Sequence, residues 1–276
     1  MPNNLTQAFI TKWSDDVTHL ASQKKSKLMD AVRVHRNVGS KTYNFQRMGN
    51  MSAVVRPDGS YDDVVPGTPP VSIQPAVLQN YEAAIYIPKF DEDKINYDAR
   101  VEYQMESVDT INRTIDDVVI AALGTSTATP QTGATLALAE VQAAAYYLDS
   151  SDVEEEDRVF LAGMQQKQDI FGVEQFTNMF YLGQVALGGA PLASNKVEPV
   201  LGFGRWIFST RLPLAGAVRS CYAYAKYGVG AAIGQDLQTT FDWVPQKRSW
   251  LVVSDVSLAA AVVDQARIIT VNISSS

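Results

Sequence analysis

A histidine-based active site in this 276-residue chain would have to use His19 or His35, the only two histidines. Both fall in the N-terminal part, neither sits in a catalytic motif, and no GxSxG accompanies them. The run Glu154-Glu155-Glu156-Asp157 offers carboxylates for a hard cation, but consecutive acids lack the alternate spacing of a calcium loop and read as a solvated turn. Gly228, Gly230 and Gly234 tempt as a dinucleotide loop. Their spacing is GxGxxxG, however, with no Lys-Ser or Lys-Thr pair to hold a phosphate, so they read as points of close backbone packing. Cys221 is the single cysteine, which excludes an intrachain disulfide and a multi-cysteine metal site and suits a small buried hydrophobe. Tyr146 and Tyr147, Trp206 and Phe208, and Tyr222 and Tyr224 read as core or interface anchors. No catalytic, cofactor or metal constellation emerges.

The elements around these residues are more informative. At 46% hydrophobic and 19% charged residues the chain can bury a sizeable core. Its start lacks a secretory pattern, and Leu258 to Val263, its longest small-apolar stretch, is too short to span a bilayer. The net charge of −7 is uneven: residues 1–50 hold eight Lys or Arg against three acids, a net of +5 that leaves −12 for the remainder. A basic leading arm on an acidic body suits an extension lying across an acidic neighbouring copy. Phosphate binding by Lys24, Lys25 and Lys27 is the competing reading, and no interleaved aromatics support it.

Residues 5–31 read as a helical arm, with Leu5, Phe9, Trp13, Val17 and Leu20 at steps of four or three. That apolar stripe wants a partner. Tyr43 and Phe45, then Tyr81, Ala83, Ile85 and Ile87, alternate as strands. Between them Met48 to Pro70 is rich in turn residues, so 41–88 is expected to form a long hairpin with an irregular tip, whose persistence is easier to explain if it docks on another subunit; the alternative is that both strands belong to an ordinary sheet inside the domain. Pro88 and the acids Asp91, Glu92 and Asp93 open a helix that Gly124 closes. Within it Val101, Met105, Val108, Ile111, Ile115, Val118 and Ala122 make one stripe, while Glu102, Glu106, Asp109, Asn112, Arg113 and Asp116 occupy other faces. A helix over 91–123 is about 50 Å long, a spine. Beyond Pro130 come short alternating elements: helices over 136–148 and 164–171, and strands at 158–161, 237–243, 250–256 and 267–273. The class is α+β.

The order of parts, a basic arm, an extended hairpin, a long helix and a compact α+β domain, resembles the major capsid proteins of tailed bacteriophages, with their Hong Kong 97-like fold. Tyr222 to Gly230, then Ile233-Gly234-Gln235-Asp236, and the closing segment from Pro245 through Val262-Val263-Asp264 to Ile273 carry the likeness toward the C terminus. The resemblance implies an N-terminal arm (1–40), an extended loop (41–88), a peripheral domain (89–134 and 240–276, spine helix 91–123) and an axial domain (135–239). It implies a structural protein, not an enzyme, that self-assembles as pentamers and hexamers into an icosahedral shell around phage double-stranded DNA. Its cofactors are none and it enters no membrane. Its partners are further copies, a scaffolding protein, a portal, a decoration protein in some shells, and DNA bound without sequence specificity. Its place is the virion capsid, assembled in the host cytoplasm. Candidate inter-subunit contacts are Phe9, Trp13, Tyr43, Phe45, Arg47, Arg56, Tyr61 and Tyr81. Two departures matter. No lysine stands between Lys41 and Lys89, so the lysine–asparagine crosslink of some relatives is not expected, and the short arm at Met1 implies a separate scaffolding protein. A nanocompartment shell of the encapsulin type and a soluble enzyme are the alternatives.

Overall fold

A computed structural model describes residues 22–53, 66–89, 99–173 and 202–274, and among these described residues helical spacing and strand alternation become twelve strands and three helices. The strands before the first helix are β1 (Arg33–His35), β2 (Thr42–Met48), β3 (Val71–Val77) and β4 (Gln79–Pro88). Helix α1 (Ala99–Leu123), β5 (Gln131–Gly133), α2 (Leu138–Ser150), β6 (Arg158–Ala162) and α3 (Met164–Gly172) follow. The chain ends in β7 (Arg205–Phe208), β8 (Leu214–Ala215), β9 (Val218–Ala225), β10 (Val229–Val244), β11 (Ser249–Val262) and β12 (Ile268–Ser274). They form a four-stranded sheet in the order β1-β10-β11-β4, a six-stranded sheet in the order β5-β12-β9-β6-β7 with β8 beside β9, and the separate ribbon β2-β3.

The chain divides into two compact units. One comprises the described residues within 1–25, 80–114 and 237–256. Here Ile87, Val252 and Trp250 pack together, and a polar seam runs beside them: Ser254 Oγ lies 2.8 Å from Ser107 Oγ and 2.9 Å from Thr239 Oγ1. Trp250 meets Trp243 edge-on at 5.2 Å and carries the Arg100 guanidinium over its ring at 4.4 Å. Each contact joins an apolar or cationic partner to an indole that also needs covering, which is how a small unit holds aromatic side chains without a deep core.

The second unit comprises the described residues within 26–79, 115–236 and 257–276. Strands β6, β9 and β12 form its centre, and Phe160, Leu161, Ala223, Tyr224, Ile268 and Val271 are buried there with Val141, Ala144 and Leu148 of α2. Both faces of β6 are covered, so all five of its residues are buried, including Arg158. That guanidinium pairs with Asp149 Oδ1 at 2.6 Å and donates to the Val153 carbonyl, tying the acidic turn before the strand to the end of α2. Trp206 stacks on Phe160 at 4.5 Å and Phe203 meets both rings edge-on, making these aromatics core. Tyr146, by contrast, is exposed on α2.

The spine helix is seen from Ala99 onward, where its 25 residues extend for about 37 Å; residues 91–98 lie outside the described residues. It ends as expected at Gly124, whose N–H reaches the Ile120 carbonyl at 3.0 Å. One expectation is corrected. The ribbon partner of β2 is β3, with Tyr43 opposite Ala76 and Arg47 opposite Ser72, whereas β4, expected as that partner, pairs with β11. Alternation alone cannot choose between two strands of the same period, and the short connection through Leu78 makes β3 and β4 successive. Strand β12 pairs antiparallel with β9, Ile268 opposite Tyr224 through Ser274 opposite Val218.

Candidate assembly surfaces

The β2–β3 ribbon has two faces of opposite character, set by its register. Tyr43, Phe45 and Arg47 share one face with Ala76, Gln74 and Ser72. Phe45, 1% exposed, is the anchor: it packs with Ala76, Ala232, Ala259 and Val263, with Val38, Tyr43 and Leu78 at the margin. Gly230 makes room for it, since a Cβ there would lie 2.5 Å from the Phe45 ring, and a Cβ at Gly234 would lie 2.7 Å from Leu78. These close approaches account for the GxGxxxG spacing. Tyr43 is clasped between His35, stacked at 4.4 Å, and Phe45, edge-on at 4.8 Å. Arg47 pairs with Asp264 Oδ1 at 3.2 Å.

The other face carries Thr42, Asn44, Gln46 and Met48 opposite Val77, Pro75, Ile73 and Val71. Its aliphatic members are open to solvent, Ile73 at 54% and Met48 at 69%. Seven residue pairs make this stripe about 23 Å long. An exposed apolar face on an anchored ribbon is the kind of surface that protein partners cover. Pro75 fits here because a ribbon edge needs no N–H at every position.

Of the sequence-derived contact candidates, Phe9, Trp13, Arg56 and Tyr61 lie outside the described residues. Tyr43, Phe45 and Arg47 are brought together, but on the anchored face. Phe45 is an internal anchor, because strand register turns its ring inward. Tyr81 is half-buried on β4, away from the ribbon pairing. Sequence reasoning missed Val71, Ile73, Pro75 and Val77. Their signal was present as period-two apolar spacing, obscured by the adjoining turn-rich segment and by a proline inside the run.

No chemistry gathers elsewhere among the described residues. His35 is occupied with Tyr43, and no group of three His, Cys, Asp or Glu side chains converges there. Burial pushes the Cys221 thiol up to about 11, too high for a ready nucleophile. Burial likewise raises the phenols of Tyr222 and Tyr224. No helix among the described residues is long and apolar enough to cross a membrane.

Comparison with known proteins decides what such surfaces belong to. The family described as phage capsid protein matches residues 5–274. The chain belongs to that family. A search of curated proteins found no match. Solved structures resemble the capsid protein along its whole length at low identity. The capsid of the cyanophage P-SCSP1u shares 16% identity over 100% of this chain and 96% of that one, with a TM-score of 0.76. The capsid of the Helicobacter pylori bacteriophage KHP30 shares 12% over 99% and 97%, with a TM-score of 0.80. The capsid of a native GTA particle, computed with C5 symmetry, shares 13% over 99% of each chain, with a TM-score of 0.74. The fold is therefore that of the phage major capsid proteins, the Hong Kong 97-like type, and the protein is structural and not a catalyst.

Proposed function

We propose that this capsid protein self-assembles as pentamers and hexamers into an icosahedral shell around double-stranded DNA, in the host cytoplasm. The observation that carries the proposal is the outer face of the β2–β3 ribbon, an apolar stripe held out by a buried anchor. A contact repeated around closed rings multiplies a modest pairwise gain into a stable particle. The relatives solved as capsids support the same reading. In this assignment residues 135–239 face the local symmetry axes, and the ribbon reaches across to an adjacent copy. Scaffolding, portal and decoration proteins are the further partners. The acidic body leaves packaged DNA free to enter and leave, because a strongly basic lining would hold its phosphates.

The test is the substitution Ile73→Asp, made on the outer face, where a charge costs the isolated subunit little and an apolar interface a great deal. Sedimentation and electron microscopy of the protein, expressed with a scaffolding partner, are expected to show closed shells or pentamer and hexamer rings for the parent chain. The variant is expected to give soluble subunits with unchanged circular dichroism. A parent chain that stays a monomer or dimer under all conditions would refute the shell; variant shells at parental yield would refute the ribbon as its contact.

A further inference from the structure

One hairpin of the six-stranded sheet ends in an exposed tip without charge. From Leu212 to Val218 the chain reads Leu-Pro-Leu-Ala-Gly-Ala-Val, between Arg211 and Arg219. Leu212 is buried and roots the hairpin, whereas Leu214 is 52% exposed, Val218 37%, and Pro213 and residues 215–217 are open to solvent. Strand β8 continues the sheet past the end of β6. Strand β9 meets β6 as far as Leu161 opposite Tyr222, then β8 through Leu214 opposite Arg219 and Ala215 opposite Val218. Gly216, at φ 64°, takes the first of the two central positions of the turn, where a type II′ hairpin requires glycine.

The charges that flank the tip are held back on the body. Arg211 Nε donates to Asp117 Oδ1 at 2.8 Å, and a second guanidinium nitrogen donates to Oδ2. Arg219 lays its stem over Gly163, where a Cβ would come within 2.5 Å of its Cδ. This matters in a chain of net charge −7. An element that lines a rotation axis meets its own equivalents, so every charge on it faces the same charge. A partner of another kind sets no such condition. Ala215, Gly216 and Ala217 are small enough for several backbones to converge, and Leu214 and Val218 supply apolar area for that convergence to bury.

We propose that the 213–218 tip is a homotypic contact, in which the tips of neighbouring copies meet around the axis of each ring as an uncharged apolar collar. The occupant is a second copy of this chain. The collar rests on the pentamer and hexamer rings of the proposed function, and it closes their centre where the β2–β3 ribbon reaches outward to an adjacent copy.

Opposite charges placed at one position test it. Ala217→Glu and Ala217→Lys each bring like charges together at the axis. Each variant alone, expressed with a scaffolding partner, is expected to lower the yield of rings and shells by more than about tenfold. The melting temperature of the unassembled subunit is expected to stay at the parental value, because the site is exposed. The two variants expressed together are expected to recover most of the yield, since unlike charges then meet. Parental yield from either variant alone, or no recovery in the mixture, overturns the contact. A second measurement uses Ala217→Cys shells under mild oxidation, with the native Cys221 buried and silent. Covalent dimers and nothing larger are expected, as one cysteine can link to one neighbour only. Shells that give monomers alone overturn the collar and leave the shell reading intact, whereas a parent chain that forms no rings refutes both.

Discussion

Asp116 shows how one side chain can direct a whole segment. It is fully buried, yet Ser26 Oγ at 2.6 Å and the N–H groups of Lys27 and Leu28 surround its carboxylate. A buried charge is tolerable only when such donors replace its water. Asp116→Asn keeps the shape but replaces an acceptor oxygen with a donor amide, which faces the donors of Lys27 and Leu28. Loss of about 2–4 kcal/mol in a urea unfolding series is expected. Faster hydrogen exchange at Lys27 and Leu28 would accompany it, while a shift of a few tenths would mean that the segment holds itself. From spacing alone Asp116 belongs to the polar side of its helix; its burial depends on a segment 88 to 90 positions earlier, a relation that no local pattern contains.

At the scale of elements, the ribbon joins an internal anchor to an external stripe, and the two can be separated. Phe45→Ala removes a ring that Gly230 was shaped to receive and leaves a cavity among Ala76, Ala232, Ala259 and Val263. A cost of about 3–5 kcal/mol is expected, seen as a lower melting temperature of the unassembled subunit and early proteolysis within residues 49–70. Ile73→Asp, on the opposite face, leaves that temperature unchanged. Equal melting temperatures for the two variants would show that the ribbon is not anchored through Phe45. Helices α1 to α3 and strands β6 and β12 were legible because long periodicity, Gly124, and a terminal apolar run identify them locally. The partner of β2 was not, since β3 and β4 share a period and only Leu78 separates them. Nor was the direction in which Phe45 points, because a strand with aromatic residues on one face does not reveal whether that face looks inward or outward.

At the scale of the whole molecule, charge sets how copies meet. Each chain carries −7 with an isoelectric point near 4.9, so at neutral pH identical subunits repel as they approach. Raising sodium chloride from about 0.05 M to about 0.3 M shortens the screening distance well below 10 Å and should relieve the repulsion. Assembly followed by light scattering is then expected to accelerate with salt, driven by apolar contacts such as Val71, Ile73 and Val77 that screening does not weaken. A rate that falls as salt rises would mean that opposite charges on different copies supply the attraction.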